Sequence, residues 1–173
     1  MPQLHTKLRD RFPSAVLETH DFRGDETAVV SRESLLEIAR FLKSDPEFDM
    51  NVLMDLTAVD GLGVKWAPAE GEAREPMGWR PRFEVVYHFY SLSKNHRLRL
   101  KVRVAESDPV VPSLTEFWPA ADWFEREVWD MFGIRFDGHP NLKRILMYEE
   151  FAGHPLRKDY PYNKRQPLIG PKN

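Results

Sequence analysis

Hydrophobic and polar positions alternate most strictly between Phe83 and Val104. Phe83, Val85, Tyr87 and Phe89 alternate with Glu84, Val86, His88 and Tyr90, and Leu98, Leu100, Val102 and Val104 alternate with Arg97, Arg99, Lys101 and Arg103. A period of two puts each set on its own face. The pattern therefore predicts two strands, closed into an antiparallel hairpin by Ser91 to His96. The period becomes helical at Leu35, Ile38, Ala39 and Leu42, which recur at i, i+3, i+4 and i+7. Ser31 is placed to cap this helix, Ser34-x-x-Glu37 has the form of a capping box, and Ser44-Asp45-Pro46 stops it. A second helical pattern runs from Pro119 to Phe132, with Phe124, Val128, Met131 and Phe132 on the packed face. Pro119 stands early, where its missing N–H costs nothing, and Gly133 suits the C-terminal cap.

Shorter signals fill the remainder. Residues 3–11 read as a helix ended by Pro13, Ala15 to His20 and Thr27 to Ser31 as a hairpin around Gly24-Asp25, and Val52 to Thr57 as an apolar strand. Gly61 to Pro81 combines Pro68, Gly71, Pro76, Gly78 and Pro81 with Glu70, Glu72 and Glu75, the composition of a long exposed loop. After Tyr148 periodicity fades. The predicted architecture is α+β in two layers, a mixed β-sheet with helices mainly on one face, spanning residues 1–134. Residues 135–173 are expected to form an extended C-terminal docking arm.

Composition narrows the chemistry. A chain of 173 residues suits one domain with a real core, and 42% apolar with 30% charged residues is ordinary for a soluble protein. There is no Cys, which excludes disulfides, thiolate nucleophiles and Cys-ligated clusters. No run of about 18 apolar residues is present, so no helix is expected to span a bilayer. The segment MPQLHTKLRDRF lacks the apolar core of a signal peptide, and the acidic residues after it argue against a transit sequence; a bacterial cytoplasmic protein is expected. Net charge is −2 but uneven: residues 1–60 hold 7 Lys and Arg against 12 Asp and Glu, and residues 135–173 hold 8 against 4. The tail is basic, which suits nucleic acid, anionic lipid or an acidic protein partner.

The segment from Ala121 to Pro161 mixes Trp, Phe, Arg and carboxylates more densely than an ordinary surface or core, as surfaces buried against a partner do. Glu127 and Asp130, three apart on a helix, are spaced for acid–base work or half a metal site. A structural charge cluster is the preferred reading, with Arg126 pairing Asp130 and with Arg144, Arg157 and Lys158 nearby in sequence. His139 and His154 precede Pro and read as turn residues rather than ligands. The basic stripe Arg97, Arg99, Lys101 and Arg103 lacks interleaved aromatics on its own face, so a solvated or partner-facing strand is favoured over nucleic acid. Gly61-Leu62-Gly63 lacks the rest of a dinucleotide fingerprint. Nothing here reads as a self-contained active site.

One resemblance covers most of the chain after residue 50. Glu125-Arg126-Glu127, Asp130-Met131-Phe132-Gly133-Ile134, Gly138-His139-Pro140, Leu142-Lys143-Arg144-Ile145-Leu146 and Pro155-Leu156-Arg157-Lys158-Asp159-Tyr160-Pro161 resemble the 30 kDa (C-type) subunit family of respiratory NADH:quinone oxidoreductase, complex I. The likeness extends upstream through Val111 to Trp123, Arg82 to Ser91 and Asp55 to Asp60. Asn141 and Lys143 depart mildly from the pattern. The resemblance implies a hydrophilic accessory subunit of the peripheral arm, at the cytoplasmic face of the bacterial inner membrane, with membrane association only indirect. Its partners would be chiefly the D-type (49 kDa) quinone-site subunit and the cluster-bearing B-type subunit. FMN and iron–sulfur clusters would sit in partner subunits and none in this chain, and no nucleic acid would be bound. Trp123, Glu125, Arg126, Glu127, Trp129, Asp130, His139, Arg144, Arg157, Asp159 and Tyr160 are the expected interface or structural residues, with no catalytic residue and no metal ligand. Competing readings are the equivalent subunit of a membrane-bound hydrogenase or other-donor dehydrogenase, a free-standing hydrolase using Glu127 and Asp130, and a nucleic-acid binder.

Overall fold

The computed structural model of the protein describes residues 3–63 and 81–166. Its elements are α1 (Leu4–Arg11), β1 (Val16–Phe22), β2 (Asp25–Val30), α2 (Leu35–Ser44), β3 (Val52–Asp60), β4 (Phe83–Ser91), β5 (His96–Val104), β6 (Val110–Pro112), α3 (Ala121–Phe132) and β7 (Arg135–Asp137). Five strands form one sheet in the order β1-β2-β5-β4-β3, and β6 pairs with β7 in a second, small sheet. The β2–β5 pairing is parallel and the other pairings of the large sheet are antiparallel. The architecture is thus the α+β mixed sheet that the periodicity predicts. The exposed loop expected over Gly61 to Pro81 falls, for residues 64–80, outside the described residues.

The core follows the two periods. Phe83, Val85, Tyr87 and Phe89 of β4 and Leu98, Leu100, Val102 and Val104 of β5 are buried in one cluster with Leu8 of α1, Leu35, Ile38, Ala39 and Leu42 of α2, and Val128 and Met131 of α3. Full burial of each such large apolar side chain contributes about 1.5–3 kcal/mol, which is what holds the helices on the sheet. The opposite face of β5 carries the basic stripe, but each cation there has a partner. Arg103 forks onto Glu18 at 2.6 Å through both terminal nitrogens. Lys101 lies 3.3 Å from Glu84, Arg99 lies 3.6 Å from Asp25, and Arg97 covers the Tyr90 ring at 5.0 Å. Cross-strand pairs of this kind suit a sheet face and leave little free charge for a polyanion.

Three local expectations need correction. The first hairpin turns at Arg23-Gly24, one residue earlier than Gly24-Asp25. Both turn residues have positive φ (55° and 85°), the handedness that matches strand twist in a two-residue hairpin. β3 runs on to Asp60 rather than ending at Thr57, with an irregularity between Leu53 and Asp55. Ser34 does occupy the N-cap of α2, but at φ −95°, ψ 1° its hydroxyl makes no capping hydrogen bond, so the capping box does not form. A capping serine needs extended backbone to aim its oxygen at the first turn.

β7 returns the chain beside β6 and buries Ile134 and Phe136. Residues 138–166 then carry no helix or strand and run back across the C-terminal end of α3.

Candidate functional site

The last turn of any α-helix leaves carbonyls without intrahelical donors. In α3, Gly133 takes the left-handed conformation (φ 75°) and its N–H returns to the Trp129 carbonyl at 2.8 Å. The next three carbonyls are answered by the returning segment. His154 Nδ1 lies 3.0 Å from the Asp130 carbonyl, so this nitrogen carries the proton. The Leu156 N–H donates to Met131 at 3.1 Å, and Arg157 Nε donates to Phe132 at 2.5 Å. Arg157, with Arg144 beside Asp130, also sets positive charge against the negative end of the helix. His154 is held below the ordinary imidazole range by burial, which prevails over its bond to the Asp130 carbonyl, with the nearby Arg157 and Arg144 charges lowering it further.

Only glycine fits at the bend. A Cβ on Gly133 would lie 2.6 Å from His154 ring atoms and 2.8 Å from the Arg157 guanidinium. Gly133→Ala is therefore expected to lose about 1–3 kcal/mol of stability from backbone strain and the displaced cap. A urea titration checks this, and an unchanged midpoint would contradict the packing described.

Asp130 faces inward from the same helix and is fully buried. Its Oδ2 accepts from three successive backbone N–H groups, Ile145 at 3.1 Å, Leu146 at 2.9 Å and Met147 at 2.8 Å, while Oδ1 accepts from Arg144 at 2.5 Å. Burial opposes its ionisation, yet the Met147 N–H, the Arg144 guanidinium and the other two amides prevail and hold the carboxyl below its usual range. Arg144 is pinned in turn by the carbonyls of Phe151 (2.7 Å) and Gly153 (3.2 Å), and it lies over the rings of Trp129 and Phe151. Gly153 (φ 107°) lets the chain pass Tyr160, whose ring would be 2.8 Å from an added Cβ. The Tyr160 ring stacks on Phe151 and its hydroxyl accepts from Gln166.

A second anchor stands at the end of β3. Asp60 is buried and takes a two-pronged bond from Arg82, Nε at 3.0 Å and Nη2 at 2.7 Å. The Lys158 N–H donates to the same carboxylate at 2.9 Å. Arg82 also reaches Asp159 at 2.5 Å and 3.0 Å, and Glu106 at 2.5 Å. Burial raises the Asp60 carboxyl, but Arg82 and the N–H groups of Lys158 and Leu62 bring it down to about 2. Arg82 bonds lower Asp159 as well.

Glu125 is the buried exception, since among the described residues no cation pairs with it. Its oxygens accept from Ser113 Oγ at 2.6 Å and Leu114 N–H at 2.7 Å. Burial dominates and pushes its carboxyl up to about 7. The Tyr87 hydroxyl, also buried, has no hydrogen-bond partner among the described residues, and burial followed by the Glu125 charge raises it too.

The other expected site residues fall apart into separate environments. Glu127 is exposed while Asp130 is buried, so helical spacing does not make them an acid–base pair. Arg126 does not pair with Asp130; it donates to the carbonyls of Lys143 and Arg144, each at 3.2 Å, and lies over Trp123. His139 accepts from the Asn141 N–H through Nδ1, and its Nε2 lies 3.2 Å from the Asp122 carbonyl. Trp129 lines a cleft of about 400 Å³ with Leu142, Lys143, Arg144, Met147 and Glu149. Asp60 and Arg82 are not among the site residues expected from the sequence. Their signal is an acid ending an apolar strand and an arginine opening the next, at the two ends of a Pro- and Gly-rich run.

These contacts define an α+β protein whose buried ions are spent on joining a long C-terminal segment to the domain that precedes it. Among the described residues no group of His, Asp and Glu is arranged to hold a metal, and no helix is long and apolar enough to cross a membrane. Residues 28–166 match the model of the respiratory-chain NADH dehydrogenase 30 Kd subunit, and the chain belongs to that family. It is 49% identical over 160 residues to the C-type subunit of NADH-quinone oxidoreductase from Roseiflexus castenholzii, covering 92% of this chain and 83% of the relative. It is 41% identical over 166 residues to the corresponding NADH-quinone oxidoreductase subunit from Geobacter sulfurreducens, with coverages of 95% and 93%. Among solved structures, Nqo5 as a trypsin-resistant fragment superposes with a TM-score of 0.62 at 31% identity, over 79% of this chain and 95% of that one. A chain of an archaeal membrane-bound sulfane sulfur reductase shares the fold, with a TM-score of 0.63 at 24% identity over 91% of this chain and 84% of that one.

Proposed function

We propose that this chain is a hydrophilic accessory subunit of the peripheral arm of a bacterial NADH:quinone oxidoreductase, at the cytoplasmic face of the inner membrane. In that position it keeps the D-type (49 kDa) quinone-site subunit and the cluster-bearing B-type subunit in register while electrons pass from NADH to quinone and protons are translocated. FMN and the iron–sulfur clusters belong to partner subunits, and those partners tether this chain to the membrane indirectly. Sites assembled across subunits lose rate when their parts shift by about 1 Å, which is why a subunit without a cofactor matters to turnover.

One observation carries this reading. Trp123 on α3 is 66% exposed, and Leu146 (56%), Leu156 (53%) and Tyr162 (98%) are exposed on the segment that returns across the end of that helix. Scattered exposed leucines need no explanation, but large apolar and aromatic anchors set on a rigid polar base are what interfaces use. The residues expected from the sequence then divide by role. Trp123 faces the partner, with Glu127 beside it on exposed surface, while Asp130, Arg144, Arg157, Asp159 and Tyr160 shape the arm beneath. On this reading the chain divides into a body, residues 1–134, and a docking arm, residues 135–173.

The test is recovery of a tagged copy from native membranes under mild detergent. NADH dehydrogenase and cluster-bearing subunits are expected to co-purify. A triple variant with Trp123→Ala, Leu156→Ala and Tyr162→Ala is expected to retain them at least about tenfold less well, given about 1–3 kcal/mol per lost anchor. A chain that emerges monomeric, or a triple variant that recovers partners in full, would end the proposal.

A further inference from the structure

Two groups outside the aromatic band control where the arm lies. Asp60 and Arg82 come from the body, at the end of β3 and just before β4. Both side chains are nearly closed to solvent, 2% and 7% exposed, while their third member, Asp159, is half exposed on the arm. The Asp60 carboxylate accepts two Arg82 N–H groups and the Lys158 amide. The Arg82 guanidinium divides its remaining donors between Asp159 and Glu106. Below it, Phe83 is buried with Arg82 4.9 Å and Arg157 5.1 Å from its ring centre, so arm and body also meet across one aromatic face.

We infer that Asp60 and Arg82 are positioning residues, which with Asp159 form an ionic latch that holds residues 153–160 against the body without help from a partner. The geometry is more demanding than charge attraction alone. Arg82 engages three carboxylates, those of Asp60, Asp159 and Glu106, and a planar fork satisfies such an arrangement where an ammonium cannot. The latch stands apart from the α3 cap, since His154, Leu156 and Arg157 grip helix carbonyls while Lys158 grips the end of β3 and Asp159 the Arg82 guanidinium just before β4. Two anchors on successive residues fix the direction of the chain as well as its place. The Leu156 side chain, just before them, is left exposed. The latch itself rests on this geometry alone; that the arm it positions is a docking surface rests on the function proposed above.

Hydrogen exchange on the isolated full chain, read residue by residue, tests it. In the wild type the amides of Leu156 and Lys158 are expected to be protected. In Asp159→Asn both are expected to exchange at least about tenfold faster, while amides of β4 and β5 keep their wild-type rates. Arg82→Lys is expected to act the same way, because charge without the fork does not suffice. Asp159→Glu is expected to restore protection, which a merely bulky or polar role would not require. Free-peptide exchange at Leu156 and Lys158 in the wild type would overturn the inference. So would unchanged rates in Asp159→Asn, or acceleration spread equally over β4 and β5. Co-purification from membranes reads the docking function separately, so either idea can fail while the other stands.

Discussion

Asp130→Ala is expected to destabilise the protein by about 3–5 kcal/mol, the range for removing one member of a buried ion pair. The substitution deletes few atoms but leaves much unanswered. Three successive amides, Ile145 to Met147, lose their acceptor inside the structure, and the Arg144 guanidinium loses its counter-ion while still wedged between Trp129 and Phe151. Each orphaned buried donor costs about 1–3 kcal/mol, but the donors share one carboxylate, so their costs do not add. Urea denaturation of Asp130→Ala, Arg144→Ala and the double variant checks this. The coupling is expected to be strong, with the double variant less damaged than the sum of the two. A loss below about 1 kcal/mol for Asp130→Ala would mean that the amides find water, and that the segment is not held as described. Asp130→Asn, which keeps an acceptor and loses the charge, is expected to fall between.

Glu125→Gln is expected to move stability in the opposite direction and to change its pH dependence. The folded carboxyl titrates near 7 against an ordinary value of 4.5, because burial penalises the anion. Below about pH 4.5 the group is protonated folded or unfolded and costs nothing. As pH rises through 4.5 to 7 the unfolded chain releases the proton more readily, and stability is lost progressively. By about pH 8 the penalty is about 3 kcal/mol, from about 1.36 kcal/mol per pH unit. Glutamine keeps an oxygen for the Leu114 N–H and offers its NH₂ to the Ser113 hydroxyl, whose oxygen can accept. At about pH 8 the variant is expected to melt roughly 6–12 °C higher than the parent, given about 2–4 °C per kcal/mol at this size. At about pH 5 the two are expected to converge. Thermal melts at both values decide it, and a gain that persists undiminished in the more acidic buffer would rule out titration of Glu125 as the cause.

The legible parts of the fold are those governed by local periodicity. The alternation in β4, strict in β5, and the apolar stripe of α2 give the core faces, because a period of two or 3.6 is imposed by backbone geometry. Gly133 is readable as a helix cap for the same reason. The site is less legible because its partners lie far apart in sequence. Asp130 stands out as a carboxylate, but its donors come from residues 144–147, and spacing on the helix suggests Arg126 instead. Helical spacing brings Cβ atoms near each other; it does not decide which of them faces the core. Asp60 ends a strand expected to stop at Thr57, and the Arg82 fork with the Lys158 and Leu62 amides makes an acid tolerable there. Ser34 shows the reverse error, in which a correct motif sits on backbone of the wrong conformation.

The parallel seam between β2 and β5 has a consequence for synthesis. On its second edge Ala28 finds its sheet neighbour only at Leu100, so the first hairpin cannot join the large sheet until the ribosome has delivered the second. Such distant pairing slows folding and keeps strand edges open in the meantime. Nascent chains released before β5 emerges would keep the β1 partners of Val29 and Val30 but leave their other edge open to a foreign strand.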